Sequence, residues 1–270
     1  MKWKSFVFFV SVFLLGVAIS PDVFPDEVIL PEEAPVETDV RAWLQQVDSE
    51  ENLIESSGKG FSKVIKTENS AWYDCGKITP KEKYDERGIR LAKALRASLL
   101  EVGLTDPLYL WGALALVYHE SRGNPCVTGP GARKWIFENG LLKKEKHWTK
   151  YDADDIRRIV KSKAFKSKKS GIDSGISQTL YPRNTKLYDL ELRIVRHATI
   201  DEMVTVEGGA KATAFHMMER FKDNPKYPWL FWPGYRDDKY AVLLQSHVRR
   251  MGGPYDEMVP KNKKWVVHLN

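Results

Sequence analysis

Leu110 to Tyr118 reads Leu-Trp-Gly-Ala-Leu-Ala-Leu-Val-Tyr, apolar on every helical face, before the chain turns polar at His119-Glu120-Ser121-Arg122-Gly123-Asn124-Pro125. A helix that is apolar all round has to be buried, so the fold must enclose it with other elements. Thr105-Asp106-Pro107 supplies its start, a capping residue followed by proline at the first helical position. Glu120 sits where the run ends, against a low-dielectric wall that disfavours the charged form and raises its pKa. That is the condition for a general acid at neutral pH.

The enclosing elements read mostly as helices. Thr79-Pro80-Lys81-Glu82 predicts a helix start with Thr as cap and Glu closing a capping box. Ile89, Leu91, Ala92, Leu95, Leu99 and Val102 then recur at helical spacing, and Gly103 is a fitting stop. Two further helices are expected over Ile200 to Phe221, with Gly208 and Gly209 as weak points, and over Lys239 to Met251. A short amphipathic helix is expected over Val40 to Ile54, followed by loop composition from Ser56 to Ser70. Gly171 to Pro182 reads as a glycine-punctuated loop, and an aromatic knot spans Tyr227 to Tyr235. With few alternating strand patterns and no internal repeat, the class is mainly α.

At the N-terminus Lys2 and Lys4 precede an apolar run from Phe6 to Ile19, too short for a comfortable membrane span but right for a signal-peptide core. Export to the periplasm or cell envelope is the expectation, with an uncleaved membrane anchor as the alternative. Residues 1–20 are thus the targeting segment. Residues 21–70 read as an acidic, proline-rich linker with one short helix, and residues 71–270 as the folded domain. Cys75 and Cys126 invite a disulfide in an exported protein, although two buried free thiols fit the sequence equally. The net charge of +6 and pI near 9.1 suit an anionic partner such as a nucleic acid, a membrane surface or a wall polymer. Thirteen lysines and arginines between residues 133 and 169 interleave with Trp135, Phe137, Trp148 and Tyr151. The block reads as a helical insertion with solvated lysines, its main helix over Asp152 to Val160, or as a contact surface for an anionic polymer.

Several chemistries lack their residues. His119-Glu120 has no second histidine at zinc-site spacing, and no phosphate loop, dinucleotide fingerprint or Gly-x-Ser-x-Gly elbow occurs. No metal or cofactor is expected. A helix-terminal Glu, a glycine-rich loop bearing Gln178 and a concentration of aromatics suit holding and cleaving a sugar chain, since aromatic faces stack on sugar rings.

Glu120-Ser121-Arg122-Gly123-Asn124-Pro125 after an apolar helix, with Gly175-Ile176-Ser177-Gln178 downstream, resembles the Glu-Ser-x-x-Asn-Pro and Gly-Leu-Met-Gln pair of the soluble lytic transglycosylases, which have the goose-type-lysozyme-like fold. The likeness covers about residues 105 to 250, with Ser177 where the family has Met. The resemblance implies a lysozyme-like domain carrying the basic insertion, peptidoglycan strands as partner and Glu120 as catalytic acid and then base. Ser121 would orient the carboxylate or the N-acetyl group, and Gly175, Ile176 and Gln178 would line the sugar site. The family's third motif, Ala-Tyr-Asn-x-Gly, is best matched by Leu230-Phe231-Trp232-Pro233-Gly234, which lacks its tyrosine. Tyr235 or Tyr240 would then have to hydrogen-bond Glu120, or the carboxylate is held differently, with Trp232 beside the sugar. In that family the muramic acid's own C6 hydroxyl attacks the anomeric carbon, so no second carboxylate is needed; Asp173 facing the cleft would instead suit a hydrolysing muramidase. A wall-binding protein without activity is the alternative from another class. A nucleic-acid role for the basic block is disfavoured by the export signal.

Overall fold

Residues 37–141, 151–168, 171–183, 185–221 and 238–258 are described by a computed structural model, and among them helix predominates. The chain divides into two units, residues 1–43 and 44–270. Of the first, only the opening of helix α1 (Glu37–Thr67) is described.

Helix α1 runs on through the stretch expected to be loop. Phe61, Val64 and Ile65 recur at helical spacing and are buried in the main core, so residues 56–67 belong to the folded domain and not to a linker. The expected linker over 21–36 lies outside the described residues. The Ser and Gly content that suggests a loop serves close packing instead. A Cβ on Gly88 of helix α2 (Tyr84–Glu101) would lie 2.2 Å from the Gly58 carbonyl oxygen, and one on Gly58 would lie 2.6 Å from the Ile89 Cα. Where the helices meet, the buried Ser62 hydroxyl lies 2.7 Å from the Tyr84 carbonyl oxygen.

The hairpin β1 (Tyr73–Asp74) and β2 (Lys77–Ile78) separates α1 from α2. α2 begins near the expected place, but its first turn is a 3-10 turn over Lys81–Lys83, and no side chain caps it. The Thr79 hydroxyl accepts from the Arg87 guanidinium instead. Gly103, at φ +80°, ends α2: its N–H donates to the Leu100 carbonyl and that of Leu104 to the Leu99 carbonyl, a Schellman arrangement.

Helix α3 (Pro107–Ser121) is the apolar stretch, capped as expected by Asp106, whose side chain accepts from the Leu108 N–H at 2.8 Å. Leu110 through Tyr118 are all buried. The basic block folds as α4 (Pro130–Glu138), α5 (Ala153–Lys161) and α6 (Lys163–Ser167). Asp152 and Asp155 form a capping box at the start of α5, and Ile136, Tyr151, Ile156, Ile159 and Phe165 pack into a second apolar cluster. Trp148 lies outside the described residues.

The supposed loop from Gly171 to Pro182 contains an antiparallel hairpin, β3 (Ile172–Ser174) and β4 (Thr179–Tyr181). A second, β5 (Lys186–Asp189) with β6 (Ile194–His197), was not expected from the sequence either. Both are too short for an alternating pattern to stand out. The helix expected from Ile200 to Phe221 is broken into α7 (Ile200–Met203) and α8 (Val206–Phe221). The break precedes the glycine pair, and Gly208 lets the start of α8 pass the Glu202 carbonyl, from which a Cβ would be 2.3 Å. Helix α9 (Asp238–Met251) matches expectation, while the aromatic knot lies outside the described residues.

α1, α2, α3, α8 and α9 share the main core, and α8 also reaches the second cluster through Met203 and Val204 before it and Ala212 within it. At the α1–α2 contact, Gly88→Ala gains about 1 kcal/mol of helix propensity but forces a backbone clash that costs about 1–3 kcal/mol. The expected outcome is a net loss, seen as a lower urea midpoint at unchanged m; a midpoint equal to or above wild type would contradict the packing described.

Candidate active site

Helix α3 emerges from the core at Glu120, and the turn that follows is held from several sides. Arg122 adopts the left-handed conformation, φ 54°, and its N–H returns to the Tyr118 carbonyl. Its own carbonyl accepts from the Trp72 indole N–H at 2.7 Å, and the Gly123 carbonyl accepts from Arg87 at 3.1 Å. Cys75 and Cys126 form a disulfide. The Asn124 side-chain oxygen accepts from the backbone N–H of both cysteines, each at 3.1 Å. With a sequence separation of 51 between its ends, such a bond restricts the unfolded chain by about 4 kcal/mol in the loop-entropy description.

A cavity of about 450 Å³ opens at this point, lined by His119, Glu120, Ser121, Arg122, Val127, Thr128, Gly129, Arg133, Asp173 and Gln178. It brings together Glu120 and Gln178, which the sequence singles out, and Asp173, the carboxylate expected to matter only if it faced the cleft. Tyr240, on α9, donates its hydroxyl proton to Glu120 Oε1. The hydroxyl comes from 120 residues downstream of the glutamate, from one of the two tyrosines that the sequence offers as its partner. Trp232 and Tyr235 lie outside the described residues.

The remaining sequence candidates support the site rather than line it with free groups. Ser121 is buried, with its hydroxyl 2.6 Å from the Ile176 carbonyl oxygen and its oxygen accepting from the Gly123 N–H. It ties the β3–β4 turn to the end of α3 and has no hydroxyl to spare for orienting the Glu120 carboxylate. Ile176 is wholly buried in the main core, not in a sugar site. Gly175 takes φ +81° in the turn, where a Cβ would also meet the Met203 methyl. Gln178, at φ 51°, donates from Nε2 to the Gly175 and Val127 carbonyls. Its Oε1 is buried without a partner among the described residues.

Burial raises the pKa of Glu120 and the negative charge of Asp173 adds to it, while the Tyr240 hydrogen bond opposes them; the net direction is upward. Its neighbours preserve that balance. Burial lowers the pKa of His119 and brings His247 down to about 4, so neither imidazole places a cation beside the glutamate at neutral pH. The side chain of Arg122 is drawn away to Glu68, which also accepts from Tyr118 and Arg250. Asp173 is exposed on β3, but partial loss of solvent pushes its carboxyl up as well.

Sequence reasoning missed Thr128, Gly129 and Arg133 as wall residues. Gly129 lies so close to Asp173 that a Cβ there would be 2.9 Å from the carboxylate; Arg133 looks like any other cation of its block. Among the described residues no group of three or more His, Cys, Asp or Glu side chains stands together as a metal site. Comparison with models of known families, with curated proteins and with solved structures finds no match.

Two measurements probe this electrostatic arrangement. Tyr240→Phe removes the hydrogen bond that favours the charged form, so the Glu120 pKa should rise further in a carbon-13 carboxyl titration; an unchanged value would refute the bond's role. A carboxyl whose folded pKa exceeds its unfolded value stabilises the fold fully below the unfolded pKa, and that stability is lost as pH rises through the folded one. Glu120→Gln should therefore gain stability relative to wild type as pH rises above about 4.5, the ordinary value, measured by thermal unfolding against pH.

Proposed function

We propose that this chain is an exported peptidoglycan-cleaving lytic transglycosylase with a lysozyme-like domain, using Glu120 as its single acid and base. The observation that carries the reading is a desolvated glutamate at the exit of a buried helix, hydrogen-bonded by Tyr240 in a cavity shared with Gln178. Protonated Glu120 gives its proton to the glycosidic oxygen between N-acetylmuramic acid and N-acetylglucosamine, and the bond from that oxygen to the anomeric carbon breaks. The resulting carboxylate then takes the proton of the muramic C6 hydroxyl as its oxygen bonds to the anomeric carbon. This closes a 1,6-anhydro ring and returns Glu120 to the acid form. The pI near 9.1 suits a cationic enzyme on an anionic wall.

A second reading is favoured by one observation, that Asp173 lines the same cavity. There Asp173 would accept a proton from water as the water attacks, and the protein would be a hydrolysing muramidase. The Tyr240 hydrogen bond weighs against a wall-binding protein without activity, because a tyrosine that holds the glutamate was the feature the altered third motif lacked.

Incubation of the purified protein with sacculi, followed by mass spectrometry, tests these readings. Anhydro-muropeptides are expected, reduced about 10²–10⁴-fold by Glu120→Gln and still formed by Asp173→Asn. Reducing ends that vanish with Asp173→Asn would establish the hydrolase, and no product from wild type would sink both.

A further inference from the structure

Glu68 stands just past the end of α1, in a stretch whose composition reads as loop, and no motif singles it out. The packing of Phe61 edge-on against Tyr118 brings the end of α1 alongside the last turn of α3. There Glu68 Oε1 accepts from the Tyr118 hydroxyl and from Arg250 Nη2 of α9, the latter at 2.8 Å. Its Oε2 lies 3.2 Å from Arg122 Nη2, an ion pair without the angles of a hydrogen bond. His247, also of α9, faces the same carboxylate and is neutral at pH 7. Burial would raise the Glu68 pKa, but the hydrogen bonds from Tyr118 and Arg250 and the charges of Arg122 and Arg250 outweigh it, so Glu68 is ionised at neutral pH. Tyr118 is pushed up to about 12 by burial and by Glu68, and so keeps the proton it donates.

The two arginines depend on Glu68 unequally. Arg250 also lies over the Tyr118 ring, 5.7 Å from its centroid. For Arg122, Glu68 is the one side-chain partner among the described residues. Yet Arg122 follows Glu120 by two residues and lines the same cavity. Around Glu120 stand Tyr240 of α9, Asp173 of β3 and the neutral His119, and burial, the tyrosine and the Asp173 charge are what act on its carboxyl. A guanidinium arriving there would favour the charged form and take away the proton that Glu120 has to give.

We propose that Glu68 is a positioning residue of the site: by holding the Arg122 guanidinium it keeps that cation from pairing with Glu120, so the glutamate stays a proton donor. The proposal rests on the glycan-cleaving reading for the use of that proton, but its first test does not depend on turnover. Carbon-13 carboxyl titration of Glu120 would compare wild type, Glu68→Gln, Arg122→Gln and the double variant. Gln keeps the length of Glu68 and an oxygen to which Tyr118 and Arg250 can donate, so the substitution removes charge more than shape.

The Glu120 pKa should fall by about one pH unit or more in Glu68→Gln, as a newly close opposite charge predicts. It should stay at or slightly above wild type in Arg122→Gln and return there in the double variant, a rescue that a merely structural role for Glu68 would not give. On sacculi, the alkaline limb of the pH–rate profile should move to lower pH in Glu68→Gln and recover in the double variant. Thermal unfolding checks that each variant folds. Should Glu68→Gln not fold, Glu68→Asp, which draws the charge back from Arg122 by one methylene, should move Glu120 the same way by less, and no movement there would count equally against the proposal. An unchanged Glu120 in Glu68→Gln, or a fall that persists when Arg122→Gln is added, would overturn it. In either case anhydro-muropeptides from wild type would leave the glycan-cleaving reading standing. The expected shift with no product from wild type would sink that reading and leave the separation of charge intact.

Discussion

Helix α3 is enclosed by its neighbours: Tyr118 packs edge-on against Phe61 of α1 and His247 of α9, and the Tyr109 ring lies tilted by 33° against Phe221 of α8. A helix buried on every side can offer a polar group only where it ends, so the position of Glu120 follows from the burial of the residues before it. The same burial supplies its chemistry. Desolvation outweighs the Tyr240 hydrogen bond and keeps the carboxyl inclined to hold its proton.

Everything that refines the site acts on the few residues after that exit. Ser121 anchors the β3–β4 turn, Asn124 bridges the two halves of the disulfide, and Trp72 and Arg87 hold the carbonyls of Arg122 and Gly123. These groups are buried or spent on backbone partners, and their shared effect is to set where Asp173 and Gln178 stand relative to Glu120. Charge is segregated by the same means: Glu68 takes Arg122 and Arg250, the two histidines stay neutral, and Arg133 is left as a cation on the cavity wall.

Where local composition misled, the cause was a contact made by another element. Gly58 and Ser62 look like loop residues until α2 is placed against them, and they are what allows two helices to meet at backbone distance. The β3–β4 turn looks like a loop because its strands are three residues each, and their pairing depends on Ser121 and on the bridge between Thr128 and Ser174. The glycine pair in α8 suggests a weak helix, yet it admits Glu202 and Ile176 at close range.

The order of polar and apolar residues along the chain suffices to place α2, α3 and α9, the Asp106 cap, the Gly103 stop and the raised pKa of Glu120, because periodicity, capping and burial at a helix end act within one or two turns. It also brings Gln178 and Tyr240 under suspicion, through motif likeness and the need for a hydroxyl. That Tyr240 reaches Glu120, that Ile176 goes inward while Asp173 goes outward, and that Arg133 lines the cavity were decided by packing. Each of these depends on contacts between residues far apart in the chain, and the side chains carry no local mark of the neighbours they will meet.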